Sequence, residues 1–485
     1  MILSSIKTPL FVSILFVLVA MDGIAETTDS RETRPNIIFI LADDMGWGDF
    51  SVYGHPELET PNIDQLAADG KLFTQFYVSS GVCSPSRVAF LTGHFPARHG
   101  VHGHFGGAEE NRDRGMPNWL DPSVPTLATH LSEAGYKTAH FGKWHLCTPS
   151  AEGAPEPTEY GFDKSYGYLS SGPQLPIEIA GNPYFRAKTT EVIVDETLRF
   201  LQENHRTPCY VSAWTLIPHT VLNPTPEQME PFKKFAPRME GNPHLGAKVV
   251  YYSTINDFDE QIGRLVEGLE ELGVADNTLI IVSSDNGPED VMLGHNGAAH
   301  EGIGSAGPFR GRKRSLYEGG VRVPFIVKWP AKIEGGVIDN DTVFGAVDLL
   351  PTLCTIAGAE VPGGELSPDG ESMLEALLGA PQERQTPLMW EYHYELPYGH
   401  VLHKSPMMAI RRGDWKLLKN PDGSRVELYN IPNDPTELDN VADENLELVR
   451  SLSEELMAWH ESMPRVPMPA KAGTNDYPWP GEMDR

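Results

Sequence analysis

The sequence predicts an α/β fold: a sheet covered by helices on both faces, then a smaller C-terminal α+β domain with an antiparallel sheet. Three observations carry that expectation. The first three hundred residues alternate strand and helix signals. Four apolar strands each hand over to polar, ligand-capable residues, the arrangement of open α/β sheets that bind ligands beyond their strand ends. From about Pro387 the pattern changes to short paired strands and one helix. No internal repeat or low-complexity tract interrupts this order.

The first strand covers 36–41 and runs into Asp43-Asp44. A helix over 61–67 follows, with Thr60 as cap, Pro61 at its first position and Gly70 as stop. Another helix is expected over 124–134, closed by Gly135, then a strand over 137–141 that leads to Lys143 and His145. The strand over 209–216 precedes His219. The stripe Ile255, Phe258, Ile262, Leu265 and Leu269 predicts an amphipathic helix over 247–272, stopped by Gly273. The strand over 278–283 ends in Asp285-Asn286, and a further strand over 321–329 and a helix over 348–357 complete the larger unit. In the smaller one, segments 408–418 and 425–429 read as two antiparallel strands around the turn Asn420-Pro421-Asp422-Gly423, followed by a helix over 445–460.

At 485 residues the chain is long enough for one large core and a smaller second domain. Its net charge of -29 opposes nucleic-acid binding through the counterion term. The same charge repels acidic polymers at long range, so an anionic ligand must meet a local positive pocket. Lys7, an apolar run over 10–21 and the small residues Gly23-Ile24-Ala25 predict a signal peptide over 1–25, with a polar linker over 26–34. That run is short for a bilayer span, so the mature protein is expected to be exported, periplasmic or secreted, with no membrane partner. Cys83, Cys147, Cys209 and Cys354 allow at most two bridges and exclude a disulfide-stapled scaffold.

The sharpest motif is Cys83-Ser84-Pro85-Ser86-Arg87, followed by Leu91-Thr92-Gly93 and Pro96-Ala97-Arg98. Pro85 suits the first turn of a helix through Leu91, which places Cys83 at an N-terminus whose free N–H groups favour an anion. Arg87, one turn on, can fork onto anionic oxygens. Asp43-Asp44 and Asp285-Asn286 are oxygen donors suited to calcium or magnesium, not zinc. Lys143 and His145 can face one site if their segment stays extended. His99, His102 and His104, His295 and His300, and His393 and His400 form further groups. Zinc ligation is open to them chemically, but their spacings match no recognised site. They read as loop residues, most of them on the surface, that shape substrate access.

The motif around Cys83 resembles the signature of the formylglycine-dependent type I sulfatases, an arylsulfatase family of the alkaline-phosphatase-like superfamily. Further blocks agree in family order over about 34–449: Leu41-Ala42-Asp43-Asp44-Met45-Gly46, Gly142-Lys143-Trp144-His145-Leu146, Ile217-Pro218-His219, Ser284-Asp285-Asn286-Gly287 and Gly311-Arg312-Lys313 before Glu318. The resemblance implies a large, mostly parallel mixed sheet between helices, with a catalytic domain over 35–385 and a smaller antiparallel-sheet domain and tail over 386–485. It implies that a formylglycine-generating enzyme oxidises Cys83 to an aldehyde whose hydrate attacks sulfate monoesters. One calcium ion would be held by Asp43, Asp44, Asp285, Asn286 and the residue at 83. Arg87 would belong to the sulfate site. Lys143 would contact sulfate, and His145 would act as base in sulfate elimination. His219 would protonate the leaving alcohol, and Lys313 would bridge sulfate and leaving oxygen. Arg312 and Arg314 flank Lys313, whose spacing to Glu318 favours it. A sulfated carbohydrate is the implied substrate. A phosphonate or phosphodiester hydrolase, or a non-catalytic glycan binder with unmodified Cys83, are the alternatives. The segment 288–308 reads as an insert near the specificity loops.

Overall fold

A computed structural model describes residues 34–148, 151–176, 181–235, 246–290, 300–379, 381–393, 401–467 and 473. The expected signal peptide over 1–25, all but the last residue of the linker, His295 and His400 lie outside the described residues.

The larger sheet comprises β1 (Asn36–Asp43), β2 (Lys71–Tyr77), β3 (Lys137–Lys143), β4 (Lys164–Tyr168), β5 (Cys209–Pro218), β6 (Thr278–Ser284), β7 (Arg322–Lys328), β8 (Val337–Asp339) and β9 (Phe344–Gly345). Their order is β4-β3-β5-β1-β6-β7-β2-β8, with β9 also beside β2. From β4 to β6 every pairing is parallel. β7 runs antiparallel to both β6 and β2, so the sheet is mixed but mostly parallel. The four strands expected to end in polar residues, β3, β5, β1 and β6, are consecutive neighbours. Their carboxyl ends therefore share one edge.

Alternate residues of β1 feed two cores. Ile37, Phe39 and Leu41 join one hydrophobic cluster, and Ile38, Ile40 and Ala42 the other. The first is covered by α2 (Cys83–Thr92), α3 (Leu127–Glu133) and α6 (Leu349–Ala357), the second by α1 (Pro61–Ala68), α4 (Phe185–Glu203) and α5 (Ala247–Glu271). The predicted stripe of α5 is wholly buried, each large side chain contributing about 1.5–3 kcal/mol of apolar transfer. The smaller sheet is β10 (Leu388–Glu391), β11 (Met408–Arg412), β12 (Trp415–Lys419) and β13 (Glu427–Asn430), backed by α7 (Leu446–Ser462). Its inner residues pack into the first core cluster.

Several expectations are corrected. The single strand expected over 408–418 is two strands, because Gly413, at φ 55°, turns the chain back. The turn at 420–423 does form, joining β12 to β13, with the Gly423 N–H donating to the Asn420 carbonyl at 3.0 Å. α3 starts at Leu127 rather than at 124, because the Thr126 side chain accepts from the Thr129 N–H and caps it there. Thr60 holds the cap position of α1 without a side-chain cap bond; its hydroxyl engages Ser51 and Asp64 instead. β7 begins at Arg322 because Glu318–Val321 forms a helical turn.

Candidate functional site

The site is built at the carboxyl edge of the parallel strands. Asp43 is the last residue of β1, and Asp44 leaves it at φ 72°, a conformation that non-glycine residues hold only where surroundings enforce it. The enforcing contacts are visible. The Asp44 N–H donates to Asp285 Oδ1 at 3.1 Å and the Met45 N–H to Ser284 Oγ at 2.9 Å, stitching the ends of β1 and β6 together.

Lys143 closes β3. The extended segment expected to carry Lys143 and His145 to one place does not form. Trp144 between them is drawn wholly into the core, and His145 turns at φ 54°. Both side chains reach the site through that turn.

α2 begins at Cys83, after an extended Val82, and no side chain caps it. Pro85 in its first turn has no N–H to satisfy. The remaining free N–H groups and the aligned peptide dipoles place partial positive charge around residue 83. His145 Nδ1 lies 3.2 Å from Cys83 Sγ, and its Nε2 lies 3.1 Å from the Phe105 carbonyl. A carbonyl only accepts, so the imidazole proton sits on Nε2 and the Nδ1 lone pair faces residue 83. Burial, then Lys143 and Arg87, hold His145 well below its ordinary pKa. It is a neutral base.

Charges alternate through the rest of the site. Lys143 Nζ donates to both oxygens of Asp43 at 2.8 Å. Arg87 donates to Asp285 Oδ2 through Nε at 2.9 Å and Nη2 at 2.6 Å, and to the Lys143 carbonyl through Nη1 at 2.7 Å. The guanidinium fork expected to face an anion therefore faces Asp285. Lys313 Nζ donates to Asp44 Oδ2 at 2.6 Å and lies 3.3 Å from Glu289. Burial would lower its pKa, but Asp44 and Glu289 raise it well above the usual range. Its neighbours are committed elsewhere: Arg312 to the carbonyls of Glu289, Gly302 and Gly304, and Arg314 to the Glu289 carboxylate. Of these three cations, Lys313 is the one bonded to Asp44. His219, 32 % exposed, sets Nε2 3.8 Å from Asp44 Oδ2 and donates from Nδ1 to the Thr220 carbonyl at 3.0 Å. Burial of its inner edge, then Lys313, lower it to about 4.

The donor set fits a hard divalent cation. Ligand atoms of Asp43, Cys83 and Asp285 lie within 4.8 Å of one another, as do those of Asp43, Asp44 and His219. Asn286 Nδ2 donates to Asp44 Oδ1 at 2.7 Å, while its buried Oδ1 finds no hydrogen-bond partner among the described residues. Burial pushes Asp285 upward against the pull of Arg87, with Asp43 adding to the rise. A carboxylate in that state is short of positive charge. An orphaned amide oxygen and a carboxylate short of positive charge are what an oxygen-liganded cation satisfies.

All ten residues singled out in the sequence are joined by these contacts. The sequence reading missed Glu289, although a second acidic pair, Glu289-Asp290, follows Asp285-Asn286 closely. The histidine groups are corrected: His102 and His393 are buried, His99 lies 3.1 Å from His94, and His300 accepts from the Leu222 N–H at 3.2 Å. These rings are built into the fold rather than displayed on it. All four cysteines are free and buried.

The family model described as Sulfatase matches residues 35–359, and that described as N-sulphoglucosamine sulphohydrolase, C-terminal, matches 307–462. The chain is 32% identical to human (Homo sapiens) N-acetylgalactosamine-6-sulfatase over 372 residues, 71% of this chain and 66% of that one, so it spans just under two thirds of that relative. It is 33% identical to arylsulfatase A of Bos taurus over 400 residues, 79% of this chain and 74% of that one. Among solved structures, Ps i-CgsB in complex with k-i-k-neocarrahexaose superposes with a TM-score of 0.71 at 28% identity, covering 88% of this chain and 92% of that one.

Proposed function

The chain belongs to the sulfatase family, and from that premise we propose that it hydrolyses sulfate monoesters of a sulfated carbohydrate through a formylglycine made from Cys83. The observation that carries the reading is the place of Cys83: first residue of α2, faced by the His145 lone pair at 3.2 Å, and grouped with Asp43 and Asp285.

The hydrated aldehyde at position 83 would supply two geminal hydroxyls, one to attack sulfur and one to expel sulfate, dividing a hard hydrolysis into two steps. A divalent cation, calcium by donor chemistry, held by Asp43, Asp44, Asp285 and Asn286 beside residue 83, would supply Lewis-acid polarisation there. His145 takes the proton from the residue 83 hydroxyl as sulfate leaves. Lys143 and Lys313, which here donate to Asp43 and Asp44, offer their remaining N–H groups to sulfate oxygens. Arg87 acts through Asp285, which it holds in place. His219 presents Nε2 to the leaving alcohol. Its depressed pKa means that it must gain its proton in the complex, where an anionic ester between it and Lys313 favours the imidazolium.

A carbohydrate substrate is supported by the named sugar sulfate of the human relative and the neocarrahexaose bound to Ps i-CgsB. Maturation calls for a formylglycine-generating enzyme. The catalytic unit is taken as 35–385 and the smaller one as 386–485. Export through the segment 1–25 completes the reading; among the described residues no helix is long and apolar enough to cross a membrane.

The test is the mass of the peptide spanning Cys83, expected about 18 Da lighter because the thiol carbon exchanges its sulfur and two hydrogens for one oxygen, together with turnover across a panel of sulfated oligosaccharides and matched phosphate and phosphonate esters. An unshifted peptide whose thiol still alkylates points to a glycan binder. A preference for the phosphorus esters points to the related hydrolase.

A further inference from the structure

Outside the site described above, His102, Glu391 and His393 gather in the interior where the two sheets meet. His102 follows α2 by a loop, Glu391 ends β10 and His393 comes two residues later. Their ligand atoms all lie within 4.8 Å of one another, and all three side chains are buried, with exposures of 3%, 6% and 6%. Neither ring nitrogen of His102 finds a hydrogen-bond partner among the described residues, and nor does His393 Nδ1. Such nitrogens would otherwise be paired or solvated. Glu391 Oε1 contacts His393 Nε2 and lies 3.9 Å from His102 Nδ1. The second oxygen, Oε2, is held by His460 Nδ1 of α7 at 3.1 Å.

We propose that His102, Glu391 and His393 form a second metal site, for a zinc-type divalent transition ion, distinct from the oxygen-rich site at Asp43 and Asp285. Two imidazoles and one carboxylate are a three-ligand zinc set that a solvent oxygen completes, and nitrogen donors do not suit calcium. Glu391 is engaged by His393 on one oxygen and by His460 on the other. The bond from His460 to the free carboxylate oxygen is the outer contact that orients a ligating carboxylate. The two imidazoles lie parallel, with centroids 4.5 Å apart. Since a bound ion lies in the plane of each ring, ligation turns them out of parallel about their χ2 bonds.

The ion would fasten the loop over 94–107 to the end of β10. That loop supplies the Phe105 carbonyl to His145 Nε2, and its position is set by the Phe105 N–H donating to Ser84 Oγ at 3.1 Å. The inference does not rest on the sulfatase reading.

The experiment uses the full chain in a Cys83→Ser background, so that no thiolate at the other site competes. After chelation, reconstitution with Zn2+ alone and gel filtration, elemental analysis is expected to give one zinc per chain, with a rise in Tm. Cobalt in its place should show the visible bands of a four-coordinate ion. His102→Ala with His393→Ala should lose the zinc and keep calcium binding. His460→Ala should retain zinc with about 10–100-fold weaker affinity. Should the double variant not fold, the Cys83→Ser chain decides: zinc that washes out entirely, or cobalt spectra of an aquo ion, overturns the assignment.

Discussion

His145 Nδ1 lies 3.2 Å from Cys83 Sγ while Nε2 is spent on the Phe105 carbonyl at 3.1 Å, so one hydrogen bond sets the tautomer that makes the other nitrogen a base. Removing that base should be felt in turnover. His145→Ala is expected to lower kcat by about 10²–10⁴-fold while the peptide spanning Cys83 keeps its mass shift. Steady-state kinetics and mass spectrometry on one preparation check it; unchanged kcat removes His145 from the mechanism.

Asp285 and Arg87 are both fully buried and paired. Asp285→Ala leaves the guanidinium without its main counter-charge, a loss of about 3–5 kcal/mol for a broken buried pair. Denaturant unfolding should show it, and added calcium should not restore the loss. A variant as stable as the parent would mean that Arg87 has a second strong partner.

Chelation of the wild-type protein should abolish turnover and lower Tm, and calcium should restore turnover and raise Tm again. Stabilisation by a bound ion grows as RT ln(1 + [L]/Kd), about 2.7 kcal/mol at a hundredfold excess over Kd. A Tm indifferent to calcium argues against the cation site.

Glu289 holds Lys313 and Arg314 from a buried position. Glu289→Gln keeps the shape and removes the charge. Loss of such an outer partner is expected to lower kcat/KM about 10–100-fold, with partial recovery in Glu289→Asp. Equal activity in all three proteins would make Glu289 a bystander.

His140 packs among Trp144, Phe162 and Trp214, and burial, aided by Arg87, lowers its pKa to about 3. The unfolded chain binds its proton near pH 6.5 and the folded chain does not. The stability it confers is therefore complete above about pH 6.5 and is lost as pH falls toward 3, at about 1.4 kcal/mol per pH unit for one proton. His140→Phe should flatten the measured pH slope of unfolding by one proton in that window. An unaltered slope would show that His140 is charged in the fold.

Much of this architecture was legible in the sequence because local patterns decide it. The runs 36–41, 209–216 and 278–283 are mostly apolar, as strands buried on both faces are, and the α5 stripe repeats at helical period. What was not legible depended on partners distant in sequence. β2 has a mixed pattern, and it becomes a strand through pairing with β7, some 250 residues on. The hairpin at Gly413 hid because the residues on either side of it are equally strand-like.

At the site, the sequence by itself determined which chemical groups are present and in what order: a cysteine at a helix start, paired oxygen donors after two strands, and a lysine and histidines after others. Only the tertiary structure decided what each one faces. Arg87 turns to Asp285, His145 takes a left-handed backbone to reach Cys83, and Glu289 joins the charge network. His102, Glu391 and His393 meet although the first two lie 289 positions apart in the chain. The reason is physical: a motif encodes donors and charges along one chain, whereas a pKa, a tautomer or a ligand set depends on the buried neighbours that several strands and loops bring within a few ångströms.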